Sequence, residues 1–137
     1  MTLSKTKEKK VPGGYHQGRR QLGMRGEELA CEFLVRNQMK IIDRNWSCSY
    51  GEADIVALEG RTLVFCEVKT RKNLRYGKPE SAITFKKRER YYKLINVYRS
   101  RCAVKHSSVR FDLITILVDE KKKMAQLKYL RDAYASS

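Results

Sequence analysis

The chain has 137 residues, enough for one domain with a single modest core and too few for two. Lys and Arg number 30 against 15 Asp and Glu, and the resulting formal charge of +15 makes polyanions the natural partners while saying nothing about the fold. No run approaches about 18 apolar residues, so the chain reads as a soluble, cytoplasmic protein with no membrane span. Only two histidines are present, which excludes sites needing several imidazoles. Cys31, Cys48, Cys66 and Cys102 fit no zinc-knuckle spacing and read as reduced structural thiols. Any metal ligands should therefore be oxygen.

Residues 1–20 mix Lys, Gly and a Pro with few apolar side chains and read as a disordered basic tail ahead of a domain over 21–137. Leu22, Leu29, Ala30, Phe33 and Leu34 recur at helical spacing and predict a helix over Leu22–Asn37, with Glu27 and Glu28 in its early turns. Ile41–Cys48 predicts a strand, Ser49-Tyr50-Gly51 a turn, and Glu52–Leu58 a second strand. Thr62–Thr70 is apolar on both faces, as in the middle of a covered sheet. After a loop over 71–78, Pro79 is placed to open a long helix to about Arg101, with Ile83, Tyr91, Leu94, Ile95 and Tyr98 as its apolar stripe. Val109–Val118 predicts another buried strand, and Ala125–Leu130 an edge strand. The fold class that follows is α/β, a mixed central sheet flanked by helices on both faces, in the order αβββαββ.

The hairpin between the second and third strands carries the functional signal. A Gly60-Arg61 turn pairs Glu59 with Thr62, and counting back sets Val56 opposite Phe65, Asp54 opposite Glu67 and Glu52 opposite Lys69. These side chains share a face because strand side chains alternate. Opposed carboxylates repel, and a hard cation compensates them well; magnesium is commonly held by one or two carboxylates with substrate phosphate as a further ligand.

Asp54, twelve intervening residues, and Glu67-Val68-Lys69 resemble the D…ExK core of the PD-(D/E)XK nucleases. With Gly26-Glu27 and Ala30, Gly51-Glu52-Ala53-Asp54-Ile55, Phe65-Cys66-Glu67-Val68-Lys69, Lys87 and Arg110-Phe111-Asp112, the chain resembles the YraN-type family, small restriction-endonuclease-like proteins similar to archaeal Holliday junction resolvases. Ala53 stands where the superfamily pattern has proline. The resemblance implies that Asp54, Glu67 and the Val68 carbonyl ligate Mg2+ or Mn2+, and that Lys69 orients or activates the attacking water. It further implies that Glu27 assists the metal site and that Lys87 contacts the scissile phosphate. The implied partner is nucleic acid, DNA first, without a membrane, and resolvase relatives make a homodimer an expectation to test.

Each residue also has a plainer role. Glu67 and Lys69 could be paired strand charges, Glu27 a favourable charge near a helix N-terminus, and Lys87 part of the solvated cluster Lys86–Arg90. Arg110 and Asp112 read as a structural ion pair; Tyr91, Tyr92 and Tyr98 read as core or rim rather than stacking platforms, and Trp46 as core. Three functions are left: a metal-dependent endonuclease acting on branched or irregular DNA, a non-catalytic nucleic-acid binder on the same fold, and a basic protein of membrane surfaces or ribosomes. An acidic patch within a basic surface would repel phosphate, so the carboxylates favour the first.

Overall fold

The structure is a computed structural model that describes residues 2–10, 19–72 and 85–133, with only the backbone described for 2–10, 19, 20 and 85. In chain order its elements are strand β1 (Thr2–Lys10), helix α1 (Arg19–Arg36), strands β2 (Lys40–Cys48), β3 (Gly51–Glu59) and β4 (Thr62–Arg71), helix α2 (Phe85–Arg101), and strands β5 (Ser108–Asp119) and β6 (Met124–Arg131). The strands form one six-stranded sheet in the order β1-β6-β5-β4-β3-β2. Only β4 and β5 run parallel, and α2 lies in the crossover between them, so the sheet is mixed as expected.

The helices cover opposite faces. Ala30, Phe33 and Leu34 of α1 pack with Ile55, Ala57, Val64, Cys66 and Ile114, while Tyr91, Leu94, Ile95 and Tyr98 of α2 pack with Val56, Leu63, Phe65, Phe111 and Leu113. Alternate residues of β4 thus go to different helices. That is why the strand is apolar on both faces and central. The β3–β4 register is the expected one from Glu59↔Thr62 through Val56↔Phe65 to Ile55↔Cys66, with Gly60 supplying the turn's positive φ of 61°. Among the described residues no helix is long and apolar enough to cross a membrane.

Two expectations change. Thr2–Lys10 is not tail but a strand, pairing antiparallel with β6 from Thr2↔Arg131 to Lys10↔Met124. Its apolar content is low because an edge strand is recruited through backbone hydrogen bonds, and edge lysines suit such a position. Consequently Ala125–Leu130 lies within β6, an interior strand rather than an edge, and the described order is βαβββαββ. The expected start of α2 at Pro79, and Ile83, lie outside the described residues.

Candidate functional site

Strand alternation breaks at Asp54. Ala53 and Val56 both lie in the α2-side core while Ile55 lies in the α1-side core, and the ladder to β4 stops at Ile55↔Cys66. On the other flank Asn45, which would face Asp54, has φ 52° and is skipped by the β2–β3 ladder. Asp54 and Glu67 are therefore not laddered partners, as counting back had placed them. The Asp54 carboxylate instead turns into the opening between strands, where its Oδ2 accepts a 2.9 Å hydrogen bond from the Val68 N–H. Glu52↔Lys69 is likewise absent from the ladder.

Burial raises the Asp54 pKa to about 6. The Val68 N–H opposes this, Glu27 and Glu67 push the same way as burial, and Lys69 pulls back. Asp54 thus feels two carboxylates, Glu27 on α1 and Glu67 on β4. Desolvation adds to the like charges.

Glu67 is buried, with 8% of its side chain exposed. Its Oε1 meets Lys69 Nζ at 3.0 Å and the ammonium of Lys87 from α2, while the buried Oε2 has no hydrogen-bond partner among the described residues. Strand period two puts Glu67 and Lys69 side by side, and the crossover brings α2 over them. A buried, unpaired carboxylate oxygen is costly and requires an explanation.

Glu27 reaches this place because of Gly26. A Cβ at Gly26 would stand 1.9 Å from Thr70 Oγ1, so only glycine lets α1 approach β4 this closely. Because α1 begins at Arg19, Glu27 lies well past the first turn, and its plainer reading as an N-terminal charge does not hold. The structure therefore gathers Glu27, Asp54, Glu67, Lys69 and Lys87, with the Val68 peptide tied to Asp54. Among the described residues no group of three or more His, Cys, Asp or Glu is arranged to hold a metal ion. The oxygens that suit a hard cation are the partnerless Glu67 Oε2 and the carboxylate of Asp54.

Arg110 and Asp112 belong elsewhere. Asp112, fully buried, receives Arg110 Nε and an Arg110 terminal nitrogen at 2.8 and 2.9 Å, the Tyr129 hydroxyl, and the Asp132 N–H at 2.9 Å. Arg110 also bonds Glu59 at 2.9 Å, and Arg131 grips Glu59 with two bonds of 2.9 and 3.0 Å. This is the structural pair that the sequence suggested, enlarged into a network. Tyr91 and Tyr98 are core residues and Tyr92 is exposed, as core or rim requires, while Trp46 is only half-buried, edge-on to Tyr98. All four cysteines are free, and burial pushes the Cys31 and Cys66 thiols up, consistent with inert thiols.

The model of the Uncharacterised protein family UPF0102 matches residues 26–116, a span that begins at Gly26 and contains all five gathered side chains. The chain belongs to the UPF0102 family. It is similar to a UPF0102 protein of Rhodococcus opacus (strain B4), 46% identical over 114 residues that span 82% of this chain and 95% of the relative. A UPF0102 protein of Caldicellulosiruptor saccharolyticus is 37% identical over 116 residues, 85% of this chain and 98% of the relative. A third, from Geobacter sulfurreducens, is 45% identical over 97 residues, 71% and 76% of the two chains. UPF0102 is the YraN-type group that the five sequence blocks resembled.

Proposed function

We propose that this UPF0102 protein is a metal-dependent endonuclease acting on branched or irregular DNA. The observation that carries the reading is the buried Glu67, whose Oε2 has no partner among the described residues, beside an Asp54 with a raised pKa. A structural carboxylate would be satisfied; one kept open for a ligand would look like this. Asp54 and Glu67, with the Val68 carbonyl, would hold Mg2+ or Mn2+, which when bound supplies Lewis-acid polarisation of a phosphodiester and a more acidic water. Lys69 and Lys87 both pair with Glu67; Lys69 would orient the attacking water, and Lys87 would offset charge developing on the phosphate. Glu27 adds negative charge near Asp54, which would strengthen the attraction for a cation. The net charge of +15 supplies sequence-independent affinity for the phosphate backbone.

A non-catalytic nucleic-acid binder on the same fold is the second reading. It is favoured by Lys69 and Lys87, which already neutralise Glu67 Oε1, and by the absence of a three-residue ligand cluster among the described residues. The experiment that separates them incubates labelled duplex, flap and four-way-junction DNAs with Mg2+, Mn2+ or EDTA. Metal-dependent cleavage is expected, reduced about 100-fold or more in Asp54→Ala, Glu67→Ala and Lys69→Ala, with binding in EDTA retained. Cleavage undiminished in Glu67→Ala would remove the enzyme reading.

A further inference from the structure

One face of α2 is basic along its length and faces the β2–β3 turn. Lys86, Arg90, Lys93 and Arg101 recur at helical spacing and are exposed, with half-buried Val97 between them. Arg90 lies against Gly51, with its Cδ 3.6 Å from where a Cβ there would stand. The Lys93 ammonium sits 5.7 Å from the centre of the Tyr50 ring, which is 40% exposed although large and aromatic. Further along, Trp46 and Tyr98 meet edge to face at 5.0 Å and, with Asp43 and Arg101, line an open cleft of about 180 Å³. That volume far exceeds one water site, which needs only about 10–15 Å³. From Lys87 at the candidate site to Arg101 the helix rises roughly 21 Å, room for a handful of nucleotides.

The chemistry of this groove changes along it. Its cations suit a phosphate backbone, and Tyr50 offers a cation-backed π-face for a base. Within the cleft Asp43 would repel phosphate; it accepts the Tyr98 hydroxyl at 2.7 Å and, as a carboxylate, has lone pairs left for a base amino group. In a duplex, base faces are stacked against one another and cannot reach such platforms, whereas splayed bases of a single strand can.

We propose that the groove between α2 and the β2–β3 turn holds an unpaired nucleic-acid strand leading from the candidate site, one base stacking on Tyr50 and one entering the Trp46–Tyr98 cleft. The inference rests on the proposed function only in taking nucleic acid as the partner, and does not require cleavage. Trp46 is the single tryptophan, so its fluorescence reports on the cleft. The test titrates the full chain in EDTA, at about 0.15 M salt, with a mixed-sequence strand of about 12 nucleotides and with its duplex. Expected are quenching of Trp46 by the single strand and not by the duplex, and roughly tenfold weaker single-strand binding in Tyr50→Ala. Tyr50→Phe, which keeps the ring, should bind as wild type, and duplex affinity should be unchanged in Tyr50→Ala. Equal quenching by duplex, or single-strand affinity indifferent to Tyr50→Ala, overturns the proposal. Quenching without metal-dependent cleavage keeps the groove and removes the enzyme; cleavage without quenching does the reverse.

Discussion

Asp112 and the Asp54–Glu67 pair are acidic groups in the same sheet, and they are treated in opposite ways. Asp112 is fully buried and fully answered, by two bonds from Arg110, the Tyr129 hydroxyl and a backbone N–H. Burial alone would lower the Arg110 pKa, yet Asp112 and Glu59 more than offset it and hold it raised. Glu67, nearly as buried, keeps an oxygen without a partner among the described residues, and Asp54 is left among like charges. Lys69 and Lys87 answer only one oxygen of Glu67, and the Val68 N–H gives Asp54 one hydrogen bond. On the function proposed above, a bound cation would complete what the fold leaves unfinished at these two carboxylates.

The largest effect should therefore come from the satisfied residue. Asp112→Asn removes the charge but little volume, leaving Arg110 partly buried with an amide donor against it. We expect a loss of about 3–5 kcal/mol in urea unfolding. A loss below about 1 kcal/mol would show that the Asp112 network is not what holds this part of the fold together.

An intermediate effect is expected at the hinge between structure and site. Gly26→Ala places a Cβ 1.9 Å from Thr70 Oγ1, and α1 must move off β4 to relieve it. Overpacking of this kind costs about 1–3 kcal/mol. Because the same shift carries Glu27 away, the raised Asp54 pKa should fall toward the ordinary carboxylate range, which carbon-detected NMR titration of the Asp54 carboxyl would read. An unshifted titration would mean that Glu27 does not act on Asp54 through the Gly26 contact.

Much of this was legible in the sequence, for identifiable reasons. The β3–β4 register followed from the Gly60 turn, and the central place of β4 from side chains apolar on both faces, since both are local rules that tertiary context did not override. Strand β1 was not legible, because Thr2–Lys10 is held by the backbone of β6 and its side chains carry no core signal. The side chains that the structure gathers around Asp54 and Glu67 were named from the sequence, but their geometry was not legible there. Strict alternation predicts Asp54 across from Glu67, whereas the irregularity marked by the positive φ of Asn45 turns Asp54 onto the Val68 N–H. Asparagine tolerates positive φ more readily than most residues, so Asn45 opposite Asp54 is a sequence-level mark of the irregularity. The Trp46–Tyr98 cleft needed α2 to be placed over β2, which no local pattern encodes.

The smallest effect has the opposite sign and tests the open pair directly. With its folded pKa at about 6 against an ordinary 3.8, Asp54 binds its proton more tightly in the folded state. Folded protein therefore carries more protons than unfolded protein between those values, and stability falls as pH rises through that window, reaching a constant penalty above it. Below pH 3.8 the residue is neutral in both states and contributes nothing to the dependence. A shift of this size caps the penalty on the order of 2–3 kcal/mol, and solvent screening brings the expected value to about 1–2 kcal/mol. Asp54→Asn retains an oxygen for the Val68 N–H while removing the charge, so in EDTA at pH 7 the variant should be more stable by about that amount and should lose the slope between pH 4 and 6. Millimolar Mn2+, binding only the folded form, should raise the wild-type Tm according to RT ln(1 + [L]/Kd) and do much less for the variant. If Asp54 is instead an ordinary surface-paired carboxylate, Asp54→Asn will be neutral or mildly destabilising and neither protein will respond to Mn2+. Thermal unfolding of the two proteins across pH 4–8, with EDTA and with Mn2+, distinguishes these cases by sign alone, and a destabilised variant beside an indifferent wild type would make Asp54 a structural carboxylate like Asp112.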